Sequence, residues 1–104
     1  MDVRGANMRG SYRMMDWELE KVKSLLVKGI NNLASGHEVI DFTEEDVNAY
    51  NLKEGLEALG YHWEDSEYNH YDFYWYFSNK DYYVCIEANV CSFSLKMFLI
   101  KEEV

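Results

Sequence analysis

Histidine, cysteine and carboxylate side chains are the groups of this chain that could bind a metal ion or catalyse a reaction. The two cysteines are separated by five residues, which is neither the C-x-x-C redox spacing nor a zinc-site spacing. The sequence also lacks a nucleophile elbow, a phosphate-binding glycine loop and an H-E-x-x-H motif. We therefore expect reduced structural thiols, no metal, no cofactor and no catalytic residue. The histidines and cysteines are His37, His62, His70, Cys85 and Cys91.

Carboxylates occur in two dense clusters. They could attract a basic surface of a partner towards the chain. Alternatively, they could interact favourably with the dipole of a following helix and keep a loop solvated. Paired acids such as Asp65 and Glu67 also leave open a small enzyme of unknown reaction. The first acidic cluster is Glu38, Asp41, Glu44, Glu45 and Asp46, and the second acidic cluster is Glu64, Asp65, Glu67 and Asp72.

Tyrosine is the other abundant group, with nine in 104 residues. Strand-like alternation predicts that Tyr74, Tyr76 and Tyr83 share one face of a sheet, opposite the aliphatic core, with Ser94 and Lys96 beside them. Tyrosine offers a large and rigid contact area at low entropic cost. The sequence therefore predicts a partner-binding face formed by these tyrosines, Tyr68 and both acidic clusters, unless another element covers the tyrosines.

Charge restricts the class of partner. The chain carries ten basic and nineteen acidic residues, for a net charge of -9, which repels phosphate backbones and anionic lipid surfaces. All three arginines, Arg4, Arg9 and Arg13, precede the folded region. With no apolar run long enough for a membrane span and no signal peptide, we expect a cytoplasmic protein that binds neither membranes nor nucleic acid directly.

Composition and apolar periodicity predict one α+β domain over residues 14–104, after a flexible basic tail over residues 1–13. Met14 or Met15 is a candidate for the biological start. Asp16 is the expected N-cap of a first helix that ends at Gly36, and Gly29 inside it marks either a close backbone approach or a tolerated cost of about 1 kcal/mol.

The middle of the chain is expected to form a short strand over residues 37–42 and then two helical segments. Thr43 is the predicted cap of a helix that begins at Glu44. A break near Asn51 leads to a second helix that ends at Gly60, since the leucines there are out of phase with the preceding apolar residues.

The C-terminal half alternates as antiparallel strands. If Asn79-Lys80 is a two-residue loop, Phe77 pairs with Tyr82, and in the next hairpin Ile86 pairs with Phe93. Tyr61 and Trp63 are candidates for the start of an additional strand, and residues 64–70 after them are expected to form a polar loop. The predicted fold is helices on one face of a three- to four-stranded antiparallel sheet, in the order α-β-α-α-β-β-β or close to it.

The segment LKEGLEALGY, from Leu52 to Tyr61, resembles the end of the third helix and the start of the wing in winged-helix domains. The resemblance spans residues 16–77 and implies a transcriptional regulator whose third helix enters a DNA groove. That helix would offer Lys53 against Glu54 and Glu57, which disfavours ordinary DNA binding.

These observations favour a small acidic, non-enzymatic protein that binds a basic protein partner as an inhibitor or adaptor. Nucleic-acid mimics and immunity-like inhibitors of phages and mobile elements, such as anti-nuclease, anti-CRISPR and anti-restriction proteins, have this size and charge. The partner would be a basic surface, for example that of a nuclease or another nucleic-acid-binding protein. The alternatives are a winged-helix-like transcriptional regulator and the small enzyme. The oligomeric state does not follow from the sequence.

Overall fold

The computed structural model describes residues 14–101, which form two helices and one five-stranded sheet. The helices are α1 (Asp16–Ala34) and α2 (Ala49–Ala58). The strands are β1 (Ile40–Asp41), β2 (His62–Asn69), β3 (Asp72–Ser78), β4 (Tyr83–Asn89) and β5 (Ser94–Leu99). The expected α+β class is confirmed, with an element order of α-β-α-β-β-β-β. The basic segment of residues 1–13 lies outside the described residues.

The sheet is antiparallel throughout, with the spatial order β1-β5-β4-β3-β2. Sequential hairpins build β2 to β5, and β1 then pairs with β5. The sheet therefore has five strands, one more than the upper limit of the prediction. The additional strand is β2, which begins near the candidate strand start at Trp63 and continues as an exposed edge strand through residues 64–69, where we expected a polar loop.

Both helices pack on the same face of the sheet, where they bury its aliphatic and aromatic side chains. Alternation sends every second residue of β3, β4 and β5 to this face. The fully buried side chains of this core are Leu26, Leu52, Leu56, Phe77, Val84, Ile86 and Met97. The opposite face of the sheet, which carries no described helix, is called the open face below.

Helix α1 begins one residue earlier than the sequence suggests. Met15, and not Asp16, is the N-cap residue, and its N–H donates to Glu18 Oε1 at 2.9 Å. This contact satisfies a backbone donor that the helix leaves unpaired. The helix ends before Gly36, which adopts a positive φ of 119°, as expected for a glycine after a C-terminus.

The helix predicted to begin at Glu44 does not form. Asp41 Oδ1 instead accepts the Thr43 N–H at 2.8 Å, and Thr43 Oγ1 accepts the Leu95 N–H at 3.2 Å. Thr43 is thus engaged at the edge of the sheet, and residues 43–46 form a turn followed by a bend. Local side-chain bonds of this kind compete with helix formation.

A single helix, α2, replaces the two expected on either side of Asn51. Asn48 is its N-cap, and the Asn48 and Asn51 side chains each accept the other's backbone N–H at 2.9 Å. Asn51 therefore belongs to the first turn and does not mark a break. Two helices are present between residues 14 and 101, one fewer than the winged-helix resemblance implies.

Candidate functional site

The open face is built in rows that cross the sheet. One row runs Glu67, Tyr74, Glu87, Lys96 and Asp41 across all five strands. The adjacent row runs Asp65, Tyr76, Cys85 and Phe98. Because residues opposite each other in a row have neighbouring side chains, the register places Tyr74 directly between the carboxylates of Glu67 and Glu87, and Tyr76 beside that of Asp65.

Tyr74, Tyr76 and Tyr83 lie on this face, as the sequence predicts, and all three are half-buried. The rings of Tyr76 and Tyr83 meet edge to face, with centroids 6.1 Å apart, a favourable aromatic geometry. The prediction of a shared tyrosine face therefore agrees with the structure, although part of each side chain is removed from solvent.

Hydrogen bonds hold most of the second acidic cluster in place on the open face. The Tyr76 hydroxyl donates to Glu67 Oε1 at 2.5 Å. The Ser78 hydroxyl donates to Glu64 Oε2 at 2.5 Å. At the other end of the strands, Asn89 Nδ2 donates to Asp72 Oδ1 at 2.6 Å. Three of the four acids in this cluster are thereby tied to β3 or β4, which fixes their carboxylates along the open face.

The environment of the open face favours the protonated form of two of its tyrosines, Tyr74 and Tyr76. The hydrogen bond to Glu67, with partial burial, raises the pKa of Tyr76 well above its usual value. Partial burial and the carboxylates of Glu87 and Asp72 raise the pKa of Tyr74. Negative neighbours and burial both disfavour a phenolate. These two phenols therefore supply contact area, with the Tyr76 proton donated to Glu67, and do not act as bases near neutral pH.

The first acidic cluster lies apart from the second. Asp41 is on β1 and Asp65 on β2, which are the two opposite edges of the sheet. Four interstrand spacings place these edges about 19 Å apart. Only Asp41 of this cluster takes part in a row of the open face. Its remaining members are exposed beside β1 in turns and loops; they are Glu38, Glu44, Glu45 and Asp46.

Two neighbouring residues favour the ionised form of Asp41. Hydrogen bonds from the side chain and backbone of Thr43 lower the pKa of the Asp41 carboxyl, and nearby Lys96 lowers it further. Lys96 is the one lysine on a strand of the described chain. The open face therefore combines six carboxylates with a single ammonium group. These acids are Asp41, Glu64, Asp65, Glu67, Asp72 and Glu87.

Tyr68 does not join the predicted site. It lies opposite Phe73, with ring centroids 6.1 Å apart, on the side of the sheet that faces the helices. Its position follows from strand alternation once residues 62–69 are a strand. A loop imposes no such alternation, which is why sequence reasoning placed Tyr68 among the acids.

Glu87 is a member of the face that the site prediction omitted. It lies between Tyr74 and Lys96 in its row. The signal was present in the sequence, because Glu87 has the same alternation parity as Tyr83 and Cys85. The site prediction included only acids that occur in clusters, and it therefore omitted a single acid inside an apolar strand.

Comparison with known proteins supplies no family for this fold. The chain matches no protein-family model, no curated protein and no solved structure. Between residues 14 and 101, no three histidine, cysteine, aspartate or glutamate side chains come together as a metal site would require. In the same part of the chain, no helix combines the length and apolarity needed to cross a bilayer.

Proposed function

We propose that this protein is a non-enzymatic inhibitor or adaptor that binds the basic surface of a protein partner through its open face. The observation that carries the proposal is the row arrangement, in which Tyr74 lies between the carboxylates of Glu67 and Glu87 and Tyr76 lies beside that of Asp65. A nuclease or another nucleic-acid-binding protein has a surface of the required charge.

The mechanism has an electrostatic part and a contact part. The carboxylates attract a basic surface at long range and select against acidic ones. On contact, the tyrosines contribute rigid area, while arginines of the partner pair with carboxylates already held in place. Binding blocks the partner's nucleic-acid surface, which makes the protein an inhibitor without any reaction of its own.

Two charge-matched variants test the proposal. The open-face variant carries Glu64→Gln, Asp65→Asn and Glu67→Gln. The control variant carries Glu44→Gln, Glu45→Gln and Asp46→Asn at the opposite edge. Each removes three negative charges from exposed side chains, so the net charges of the two variants are equal.

The assay measures cleavage of duplex DNA by a panel of basic nucleases, with each protein added at low and physiological salt. We expect the wild type and the control to inhibit at least one nuclease similarly, and the open-face variant to need about tenfold more protein, as for loss of a few charge-assisted bonds. Equal loss in both variants would mean that bulk charge is responsible, and no inhibition of any nuclease would contradict a nuclease partner. A gel shift of naked duplex at low salt would instead favour direct nucleic-acid binding.

A further inference from the structure

The outer edge of β2 has the backbone groups needed to pair with a further strand. β2 is the last strand in the sheet and pairs only with β3, so no strand in the described chain adjoins its other side. All eight of its residues are exposed except Ser66, which is partly buried. An edge strand of this kind presents backbone N–H and C=O groups that can pair with an added segment.

The register of β2 with β3 directs one backbone donor of this edge, the Ser66 N–H, away from β3. The Ser66 N–H donates to Asp65 Oδ1, the side chain of its own neighbour, at 2.8 Å. This bond is made within β2 itself, so it does not connect the Ser66 N–H to another strand. A cation that pairs with the Asp65 carboxylate would free the Ser66 N–H for a strand. A basic segment therefore suits this edge better than a neutral one.

The side chains of β2 define what an added strand would meet. Asp65 and Glu67 lie towards the open face, opposite Tyr76 and Tyr74. On the helix side, Trp63 and Tyr68 are 50% and 75% exposed. A sixth strand would thus contact carboxylates with one set of alternate side chains and aromatic rings with the other.

The structure also defines how much of β2 is regular enough to pair with an added segment. The register shifts between Trp63 and Asp65, where a β-bulge interrupts the ladder. Regular pairing continues from Asp65 to Asn69 up to the turn into β3. A bulge bends and twists its strand, so the added segment would pair mainly with these five residues.

We propose that the β2 edge binds an extended segment of a basic protein partner, in which basic and apolar residues alternate, as a sixth strand of the sheet. This inference rests on the proposed function and specifies how the basic partner is held. A second copy of this chain is the alternative occupant. Pairing two β2 edges would bring the same carboxylates, Glu64, Asp65 and Glu67, close to one another, and like charges facing each other across strands are destabilising.

The test uses three peptides of identical charge, each with four arginines and four valines and with its ends acetylated and amidated. In the alternating peptide the two residue types alternate, which places arginine on one side and valine on the other when the peptide is extended. In the block peptide all the arginines precede all the valines. The methylated peptide has the alternating sequence with every backbone nitrogen methylated, which keeps the side-chain pattern and removes the N–H donors. Fluorescence anisotropy gives the dissociation constants for the full chain, and hydrogen exchange reports on the Ser66 amide.

We expect the alternating peptide to bind about tenfold more tightly than either other peptide, since several backbone hydrogen bonds distinguish it. Its binding should slow exchange of the Ser66 amide. Ser66→Pro removes that donor at an edge, where proline is tolerated, and should reduce the affinity for the alternating peptide to that of the methylated peptide. If this variant does not fold, the methylated peptide alone decides the question.

Three results would overturn the inference. Equal affinity of the three peptides would mean attraction by charge alone, which leaves the proposed function intact. No measurable binding of the alternating peptide would mean that the edge accepts no such strand. Dimerisation in sedimentation, with slow Ser66 exchange before peptide is added, would mean that a second copy occupies the edge. Failure of the proposed function is seen separately, as equal loss of inhibition in the two charge-matched variants.

Discussion

At the scale of single residues, the two cysteines illustrate how position in the sheet determines reactivity. Cys85 lies between Tyr76 and Phe98 in its row and is fully buried. Burial, with the carboxylates of Glu87 and Glu67, raises the pKa of its thiol to about 12. Cys91 is exposed in the following turn. Because the thiolate is the nucleophile, the two should differ in rate with thiol reagents.

We expect the native protein at about pH 8 to react rapidly with an aromatic disulfide reagent at one thiol, and at a second thiol only after unfolding. The Cys91→Ser variant should lose the rapid phase, and the Cys85→Ser variant should keep it. Equal rates for both thiols in the native state would mean that reagent reaches Cys85 in the folded sheet.

The raised pKa of folded Cys85 also has a consequence for stability. The contribution of its protonated thiol to the free energy of unfolding is present below about pH 9 and is lost as pH rises towards 12, because the unfolded thiol ionises first.

At the scale of elements, two glycines allow the helices to approach their neighbours closely. A Cβ on Gly55 of α2 would lie 2.7 Å from Leu26 Cδ1 and 2.8 Å from Val22 Cγ1 of α1. A Cβ on Gly29 of α1 would lie 2.9 Å from Met97 Cε of β5. Of the two interpretations that the sequence allowed for Gly29, close approach is the one observed. The neighbours differ, since Cε is the end of a flexible side chain and Val22 is branched next to its backbone.

We expect Gly55→Ala to destabilise the protein by about 1–3 kcal/mol, because overpacking between the helices outweighs the helix-propensity gain. Gly29→Ala should change the free energy of unfolding by less than about 1 kcal/mol, since Met97 can move and the propensity gain offsets the contact. Urea unfolding followed by circular dichroism measures both, with Glu54→Ala as a nearby helix control. A Gly55→Ala variant as stable as the wild type would show that the helices can separate at little cost.

At the scale of the whole molecule, negative charge opposes the compact state. The chain has a net charge of -9, and the open face gathers carboxylates from all strands except β5. Repulsion among like charges destabilises a folded protein, and salt screens it over about 4 Å at 0.5 M. The same carboxylates that attract a basic partner therefore reduce stability when no partner is bound.

We expect the melting temperature to rise by a few degrees as sodium chloride increases from about 0.02 M to 0.5 M. The charge-matched variants locate the source of the repulsion. The open-face variant should show a smaller salt effect than the control at the opposite edge, although their net charges are the same. An identical salt effect in both would mean that the repulsion is spread over the whole surface.

The sequence alone predicted the α+β class, the first helix, the strands β3, β4 and β5, and the face on which each of their side chains lies. It did not predict the pairing. Phe77 pairs with Val84, two residues from the predicted partner, and Ile86 pairs with Met97, four residues away. Even shifts preserve the face of every side chain because strand alternation has a period of two. The tyrosine face was therefore predictable although both registers were wrong.

Tertiary structure decided the loops, the edge strand and the separation of the acidic clusters. The Asn79 side chain accepts the N–H groups of Asp81 and Tyr82, which closes a longer loop than the two residues expected. The sequence of β2 shows no alternation of apolar and polar residues that would predict a strand, because an edge strand with most of its side chains exposed does not have to bury one face. The two acidic clusters are 18 residues apart in the sequence, yet pairing of β1 with β5 carries the first cluster to the far edge of the sheet. Composition and the periodicity of apolar residues are local properties of the chain. The order of strands in the sheet depends on which distant segments of the chain pair with each other.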